Sequence, residues 1–271
     1  MSAVAESTAR DTRARLPIRE LRVGTVVAPI VFGVVVIGLW QLLVDQLDIE
    51  PFVIPAPSVI WEQVTTNQEF IVEGAKATGR NALLGLVGGA VVGILGALLS
   101  HAIRLLDQMA VPLVAAASVV PIVALAPVLY SMFGAAVETA RIIVAGLAVS
   151  VPVYLNTLRG LRQVPAVQRD LMTAYAAKPS QVARTVTLPT AVPYLFTGLR
   201  IASSLAVISA LIAEYFGGPR GGLGKSITTA ASSSNYPLAW AYVFGAIVLG
   251  LVFYVVTLLV ELWFSRHHPT P

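Results

Sequence analysis

The chain has 271 residues, of which 56% are hydrophobic and only 12% are charged, and its net charge is +4. An ordinary soluble domain carries about 25% charged residues, so this composition predicts an integral membrane protein. The absence of cysteine excludes disulfides, thiolate catalysis and cysteine-based metal sites. With only three histidines there is little material for a metal centre, and the modest basic excess does not indicate a nucleic-acid partner.

Six apolar runs are long enough to cross a bilayer, which takes about 20 helical residues. They lie at residues 25–44, 81–100, 109–130, 139–158, 194–213 and 239–264. The runs are continuously apolar and rich in Gly and Ala, whereas membrane strands alternate apolar and polar residues. We therefore predict an all-α integral membrane protein with six transmembrane helices. In the second run, Gly85, Gly89 and Gly93 form two small-xxx-small steps that allow close helix packing.

The basic residues predict the orientation, because Lys and Arg concentrate on the cytoplasmic side of membrane proteins. Threading six spans with both termini inside places twelve of the eighteen Lys and Arg residues on that side, while residues 45–73 carry six acidic residues and no basic one. We predict a protein of the plasma membrane with a cytoplasmic tail at 1–24, a membrane domain at 25–264 and a second cytoplasmic tail at 265–271.

The longest polar interruption on the predicted cytoplasmic side is the loop 159–190. Within it we predict a helix over Ala166–Ala177, because Pro165 suits a helix start and Lys178-Pro179 ends it. Its apolar residues share one face: Val167, Leu171, Ala174 and Tyr175. Such a helix either lies on lipid headgroups or its own bundle, or docks a partner, and these residues alone leave both open. On the other side, PFVIPAPSV is an extended stretch that leads into an amphipathic helix.

The segment GGPRGGLGKS is similar to a phosphate-binding loop, but the first glycine of G-x-x-x-x-G-K-[ST] would fall on Pro219. We therefore predict a Gly-rich turn followed by a short helix. No Ser/His/Asp set, carboxylate pair or ligand cluster indicates catalysis or a metal site, so we predict no catalytic residues and no cofactor.

Polar residues within two spans are candidates for a translocation path, since ionisable groups in a bilayer usually face a protein interior. In the fifth span they share one face: Arg200, Ser203, Ser204, Val207, Leu211 and Glu214. In the fourth span the corresponding residues are Glu138, Arg141, Ala145, Val149, Pro152 and Asn156. The alternative interpretation is that Glu138 and Arg141 form a pair at the interface and that Arg200 extends to the membrane surface.

The order of elements, the IPAPS segment, the loop ending in VTLPTAVPYLFTGLR and the later GGLGKSI resemble permease subunits of type I ABC importers, in the branch for nitrate, taurine and alkanesulfonates. In that family a cytoplasmic coupling helix carries E-A-A, a Gly and then I-x-L-P. Here Leu188-Pro189 matches the L-P end and Ala176 takes the Gly place. The E-A-A place is taken by Asp170, Leu171 and Met172.

The resemblance implies a type I ABC importer permease fold that conducts a small organic solute or anion. It implies a coupling role for Val167, Asp170, Leu171, Ala174, Tyr175 and Ala176. The implied partners are a cytoplasmic ABC ATPase dimer that binds the ATP, a second identical or homologous permease subunit, and an extracytoplasmic solute-binding protein. A secondary transporter is the alternative, although such folds usually contain an internal repeat that we do not find.

Overall fold

The computed structural model describes residues 23–134, 137–218 and 221–267. These residues form eleven α-helices and no strand. The helices are α1 Val23–Gln46, α2 Pro57–Thr66, α3 Gln68–Ala102, α4 Arg104–Val119, α5 Ala126–Phe133, α6 Thr139–Arg162, α7 Ala166–Ala174, α8 Pro179–Val182, α9 Leu188–Phe216, α10 Leu223–Ser232 and α11 Tyr236–His267. The predicted cytoplasmic N-terminal tail lies almost entirely outside the described residues.

Within the described part of the chain, five stretches are long and apolar enough to cross a membrane: Val27–Gln46, Gln68–Ala102, Thr139–Arg162, Pro179–Phe216 and Tyr236–Phe264. The helical class predicted from composition is thereby confirmed. Helix α1 belongs to one unit of the chain, which ends at Ile49, and the other helices belong to a second unit, which begins at Glu50.

The third predicted span, 109–130, is not one continuous helix. Helix α4 ends at Val119, a 3₁₀ turn follows at Ile122–Leu125, and α5 begins at Ala126. Pro121 lies at the break. Proline has no backbone N–H and restricts the residue before it to extended geometry, and Val120 has φ −65° and ψ 125°. An average of hydropathy over the run does not register this interruption.

The short helices predicted outside the spans are confirmed as helices. Pro57 begins α2, and Leu223 begins α10 directly after the Gly-rich turn. Helix α3 starts at Gln68, thirteen residues before the apolar run at 81, because polar residues can continue a helix beyond the hydrocarbon region. Five of the six apolar runs therefore lie within helices long enough to cross a membrane, and those runs underestimated the lengths of the helices.

The core of residues 50–271 is built from α3, α6 and α9, which meet through small side chains. Helix α3 presents Gly85, Gly89 and Gly93 to α6, and a Cβ on Gly89 would lie 2.3 Å from the carbonyl oxygen of Gly146. Gly198 of α9 approaches α6 in the same way, with Pro152 O 3.1 Å from the position of a Cβ. The predicted glycine steps therefore serve packing within the chain. Such close approach suits a bilayer, where dispersion rather than water exclusion drives helix association.

Candidate functional site

The helix in loop 159–190 is largely exposed, with only Gln168 and Met172 half-buried. Helix α7 begins after Pro165, as predicted, and none of its residues is buried. On its apolar face the exposed fractions are 79% for Val167, 51% for Leu171 and 75% for Tyr175, and Ala174 is also exposed. Asp170 lies beside this face and is exposed. We call Val167, Leu171, Ala174 and Tyr175 the α7 apolar face. It does not pack against the described part of its own bundle, which leaves lipid or a partner to cover it.

A Schellman motif ends α7. The N–H of Ala176 donates to the carbonyl of Thr173 at 2.9 Å, and the N–H of Ala177 donates to that of Met172 at 3.0 Å. Ala176 occupies the left-handed position of this motif, with φ +48°. Glycine usually stands there because it has no Cβ to clash. The structure thus explains why a Gly would suit the position that Ala176 occupies in the resemblance.

The loop that carries α7 is joined to the bundle at both ends. Arg162, the last residue of α6, forms an ion pair with Asp107 of α4. After α7, Pro179–Val182 and a π-helical turn at Ala183–Thr187 lead without a break into α9. Pro189 lacks the N–H that would donate to the carbonyl of Thr185, and this missing donor accounts for the locally wider turn.

A cluster of buried polar side chains lies at the other end of α9. Arg141 of α6 is 1% exposed and Glu214 of α9 is 0% exposed, and Nη1 of Arg141 is 3.9 Å from Oε1 of Glu214. Thr78 of α3 donates its hydroxyl to Oε2 of Glu214 at 2.8 Å. Arg141 Nε also donates to the hydroxyl of Tyr130 at 3.3 Å. We call Thr78, Tyr130, Arg141 and Glu214 the polar cluster.

The polar cluster contacts the Gly-rich segment at Gly217, Gly221 and Gly222. Arg141 donates to the carbonyls of Gly217 and Gly221, each at 3.4 Å. A Cβ on Gly222 would lie 2.5 Å from the carboxylate of Glu214, and Gly222 has φ +96°. The turn needs glycine here for two reasons, the close approach and the left-handed backbone.

Glu214 also caps α10. Its Oε2 accepts the N–H of Gly224 at 3.0 Å, and Thr78 Oγ1 accepts the N–H of Leu223 at 2.8 Å. These are donors of the first turn of α10, which have no partner within their own helix. A carboxylate at a helix N-terminus also interacts favourably with the helix dipole. The predicted path residue Glu214 therefore lies inside the chain and stabilises α10.

The other predicted path residues do not share one open face. Ser203 is buried, and its hydroxyl donates to the carbonyl of Arg200 at 2.8 Å. Arg200 forms an ion pair with Glu261 of α11. Asn156 is half-buried on α6, and its amide donates to the carbonyl of Pro152 at 2.8 Å. The polar and charged groups of Ser203, Arg200 and Asn156 thus have bonding partners within the chain.

Of the predicted residues, Val207 is buried, at 3% exposure, whereas Ser204 and Leu211 are half-buried and border open space. They line an apolar groove of about 600 Å³ between α9, α10 and α11. The exposed side of α9 carries Ile201 and Ile208, 49% and 50% exposed. The exposed face is therefore displaced by about one residue from the polar stripe in the sequence, which corresponds to a rotation of about 100°.

Sequence reasoning missed Thr78, Tyr130 and Glu261 as partners of the ionisable groups. The alternative interpretation, in which Glu138 and Arg141 pair with each other at the interface, is wrong. Glu138 accepts from Arg80 at 2.6 Å, and Arg141 is buried beside Glu214. Among the described residues no three His, Asp or Glu side chains come together as a metal site requires.

Comparison with known proteins identifies close relatives of the chain. Residues 89–267 match the family described as binding-protein-dependent transport system inner membrane component. The riboflavin transport system permease protein RibX of Chloroflexus aurantiacus is 30% identical over 226 residues, covering 82% of this chain and 83% of the relative. A probable ABC transporter permease protein of Haemophilus influenzae is 27% identical, covering 83% and 91%. The nitrate import permease protein NrtB of Synechocystis is 29% identical, covering 85% and 87%.

The fold is similar to that of solved transporter structures. A chain of the MetNI methionine ABC transporter in inward-facing conformations matches with a TM-score of 0.60 and 18% identity, covering 74% of this chain and 96% of that one. A chain of an amino acid ABC transporter matches with a TM-score of 0.58 and 16% identity, covering 75% and 96%.

Proposed function

Because the chain belongs to the family of binding-protein-dependent transport system inner membrane components, whose members here are ABC transporter permeases, we propose that it is the membrane-spanning subunit of an ATP-driven importer. It conducts a small organic solute or anion delivered by an extracytoplasmic binding protein. Relatives named for riboflavin, nitrate and bicarbonate set this range of solutes. ATP is bound and hydrolysed on a separate cytoplasmic ATPase dimer.

In this proposal the α7 apolar face is the docking surface for the ATPase. The exposure of that face is the observation on which the proposed function rests. Three of its apolar side chains are more than half exposed: Val167, Leu171 and Tyr175. Exposed apolar side chains grouped on one short helix indicate a surface that a partner covers. The α6 end before the loop is fixed to α4 through Arg162 and Asp107, so a movement of α7 would be transmitted to two membrane helices.

We propose that α4 and α5 together make a sixth crossing, interrupted at Pro121. The two helices contain 16 and 8 residues, and with the 3₁₀ turn between them they are long enough to cross about 30 Å of hydrocarbon. Six crossings place both termini in the cytoplasm, as the distribution of Lys and Arg favours.

The path lies in this proposal beside α9, at the interface with a second permease subunit. Ser204, Val207 and Leu211 border the apolar groove, whereas Arg200 and Glu214 are held by Glu261 and Arg141. A path bordered by such residues does not select its solute by charge, so recognition falls to the binding protein. Cysteines at 204 and 211 should react with a water-borne reagent or crosslink to the partner subunit. A cysteine at Ala210, which is buried in the core, is the control and should not react.

Copurification of the ATPase subunit and a transport assay test the docking role. The full chain is tagged and purified from its membrane with and without Leu171→Glu and Tyr175→Glu, and the bound ATPase subunit is quantified by mass spectrometry. We expect both substitutions to remove the ATPase while the chain still inserts in the membrane. Thr173→Glu is the matched control, because Thr173 is exposed on the opposite side of α7. Unchanged ATPase binding and transport in both variants would show that α7 only covers the membrane surface.

A further inference from the structure

A second apolar groove, bordered by two basic residues, runs between α3 and α11. Its volume of about 600 Å³ lies within the range of about 300–1,000 Å³ that small-molecule sites occupy. Leu83 lines it from α3, and Val252 and Val256 line it from α11; all three side chains are about half exposed. Lys76 and Arg80 line the part of the groove nearer the start of α3. The groove beside α9 is equally large, but the described residues that line it include no charged one.

The start of this groove lies near an exposed tryptophan. Trp61 of α2 is 58% exposed, and its ring packs edge-on against Phe244 of α11 with the ring centroids 6.0 Å apart. The next residue of α11 approaches α3, since a Cβ on Gly245 would lie 2.6 Å from Cγ2 of Ile71. Tryptophan is enriched where the hydrocarbon of a membrane meets water. Phe244 and Ile71 therefore mark the level of the membrane–water interface on α11 and α3.

The groove extends from this level through about one leaflet of the membrane. Lys76 lies five residues after Ile71, and the lining continues along α3 to Leu86. The ten residues from Lys76 to Leu86 span about 15 Å of helix, which is half of the hydrocarbon thickness of about 30 Å. An acyl chain of a lipid in one leaflet covers the same depth. The groove therefore has the length of one acyl chain, with a basic side chain at the headgroup end.

Lys76 is the basic residue that is available to a ligand. Within the described part of the chain it forms no ion pair, whereas Arg80 is paired with Glu138 at 2.6 Å. An ammonium group has three donors and no acceptor, and it binds phosphate oxygens well. A cation close to the hydrocarbon is costly unless an anion or water compensates it. A phosphate at the level of Lys76 supplies that anion.

The nearest acidic residue on α3 selects the rest of the headgroup. Glu73 is exposed and forms no ion pair with Lys76 in the part of the chain that the structure describes. It lies three residues before Lys76, about 4.5 Å further from the hydrocarbon along the helix. A headgroup with a phosphate next to the glycerol and an ammonium beyond it places one charge near each residue. A headgroup with net negative charge meets repulsion from Glu73.

We propose that the groove between α3 and α11 binds one zwitterionic aminophospholipid. One acyl chain lies in the groove against Leu83, Val252 and Val256, the phosphate contacts Lys76, and the ammonium points toward Glu73. The lipid is then a bound component that covers this face of the bundle. The proposal requires only that the chain spans a membrane, and it does not depend on the proposed transport function.

Lipid titration of the purified full chain tests the site. The chain is stripped of lipid in detergent and titrated with phosphatidylethanolamine that carries one palmitoyl and one oleoyl chain, and bound lipid is counted by native mass spectrometry. Lys76→Gln should lower the affinity about fivefold, as the loss of one exposed ionic contact does. Val256→Trp should abolish the binding because the larger ring fills the groove. Unchanged affinity in either variant overturns the proposal.

Two matched controls separate the site from general effects of charge and size. Lys178→Gln removes the same charge from an exposed position in the loop 159–190. Ile247→Trp adds the same ring to α11 at a position that is 56% exposed and lines the groove beside α9. Both controls should bind the lipid as the unsubstituted chain does. Losses in these controls equal to those in Lys76→Gln and Val256→Trp overturn the proposal.

The headgroup and the alternative occupant are tested separately. Phosphatidylglycerol with the same acyl chains should bind the unsubstituted chain more weakly than phosphatidylethanolamine, and Glu73→Gln should remove this preference. Equal affinity of the unsubstituted chain for both lipids overturns the proposed headgroup. A cysteine at position 256 in native membranes should react with a lipid-phase reagent. If it instead crosslinks to a second polypeptide, the groove is covered by protein and the proposal fails.

Discussion

Glu214 of α9 pairs with Arg141 of α6 inside the chain, with Nη1 3.9 Å from Oε1, while its other oxygen caps the first turn of α10. One carboxylate therefore joins two membrane helices to the Gly-rich turn and the short helix that follows. Removing one member leaves the other charge buried and unpaired, which typically costs about 3–5 kcal/mol. Removing both leaves no unpaired charge.

We therefore expect a specific order of stability among variants of this pair. Arg141→Met alone and Glu214→Leu alone should each destabilise the chain strongly, by about 3 kcal/mol or more, and the double variant should be more stable than either. Thermal unfolding in detergent measures the three. The exposed pair Arg80–Glu138 is the control, since its removal should cost about 1 kcal/mol or less. Additive losses in the double variant would contradict the coupling.

The glycines of α3 give a second prediction with an internal control. A Cβ on Gly89 would lie 2.3 Å from Gly146 O, whereas a Cβ on Gly88 would meet no atom within 4 Å. Gly89→Ala should force α3 and α6 apart and lower the yield and unfolding midpoint of the chain. Gly88→Ala should be neutral or stabilising, because Ala favours the helix by about 1 kcal/mol. Equal effects of the two substitutions would show that the contact with α6 is not limiting.

The features that could be predicted best from the sequence are those that depend on a single helix. Helix α7, with its start after Pro165 and its apolar face, could be predicted because the pattern of apolar residues and the prolines are local signals. The break at Pro121 had a local signal too, but the apolar run around it masked it. What could not be predicted was the partner of each charge. Arg141 pairs with a residue 73 positions later, and that depends on how α6 and α9 rotate against each other.

The rotation of α9 shows this limit. The polar residues on α9 suggested one face toward a path, yet Ile201 and Ile208 are the more exposed residues. Polar groups in a bilayer are driven to protein partners, and here Glu214 and Arg200 find them within the chain, at Arg141 and Glu261. A polar stripe thus indicates a face that is buried in protein, but not whether that face meets another helix or a solute.

Cysteine labelling on this cysteine-free chain tests the topology. Ile60 is buried, so its exposed neighbour Trp61 is the better probe for this segment. Cysteines at 61 and 232 should react with an impermeant reagent from outside intact cells. A cysteine at 175 should react only after the membrane is opened. Labelling of position 175 from outside would show that the predicted orientation is inverted. Helix α7 could then not dock on a cytoplasmic ATPase.

The left-handed Ala176 provides the last prediction. Its φ of +48° places its Cβ in a conformation that costs an L-residue about 1 kcal/mol or more. Ala176→Gly should remove this cost and stabilise the Schellman motif that ends α7. Amide hydrogen exchange of residues 166–177 should then be slower, and the ATPase should bind more tightly because the docking helix is better ordered before binding. Ala177→Gly is the control: residue 177 is not among those with positive φ, so glycine there only adds freedom to the unfolded chain and should weaken the turn. Faster exchange in Ala176→Gly than in the unsubstituted chain would show that the left-handed position does not limit the stability of α7.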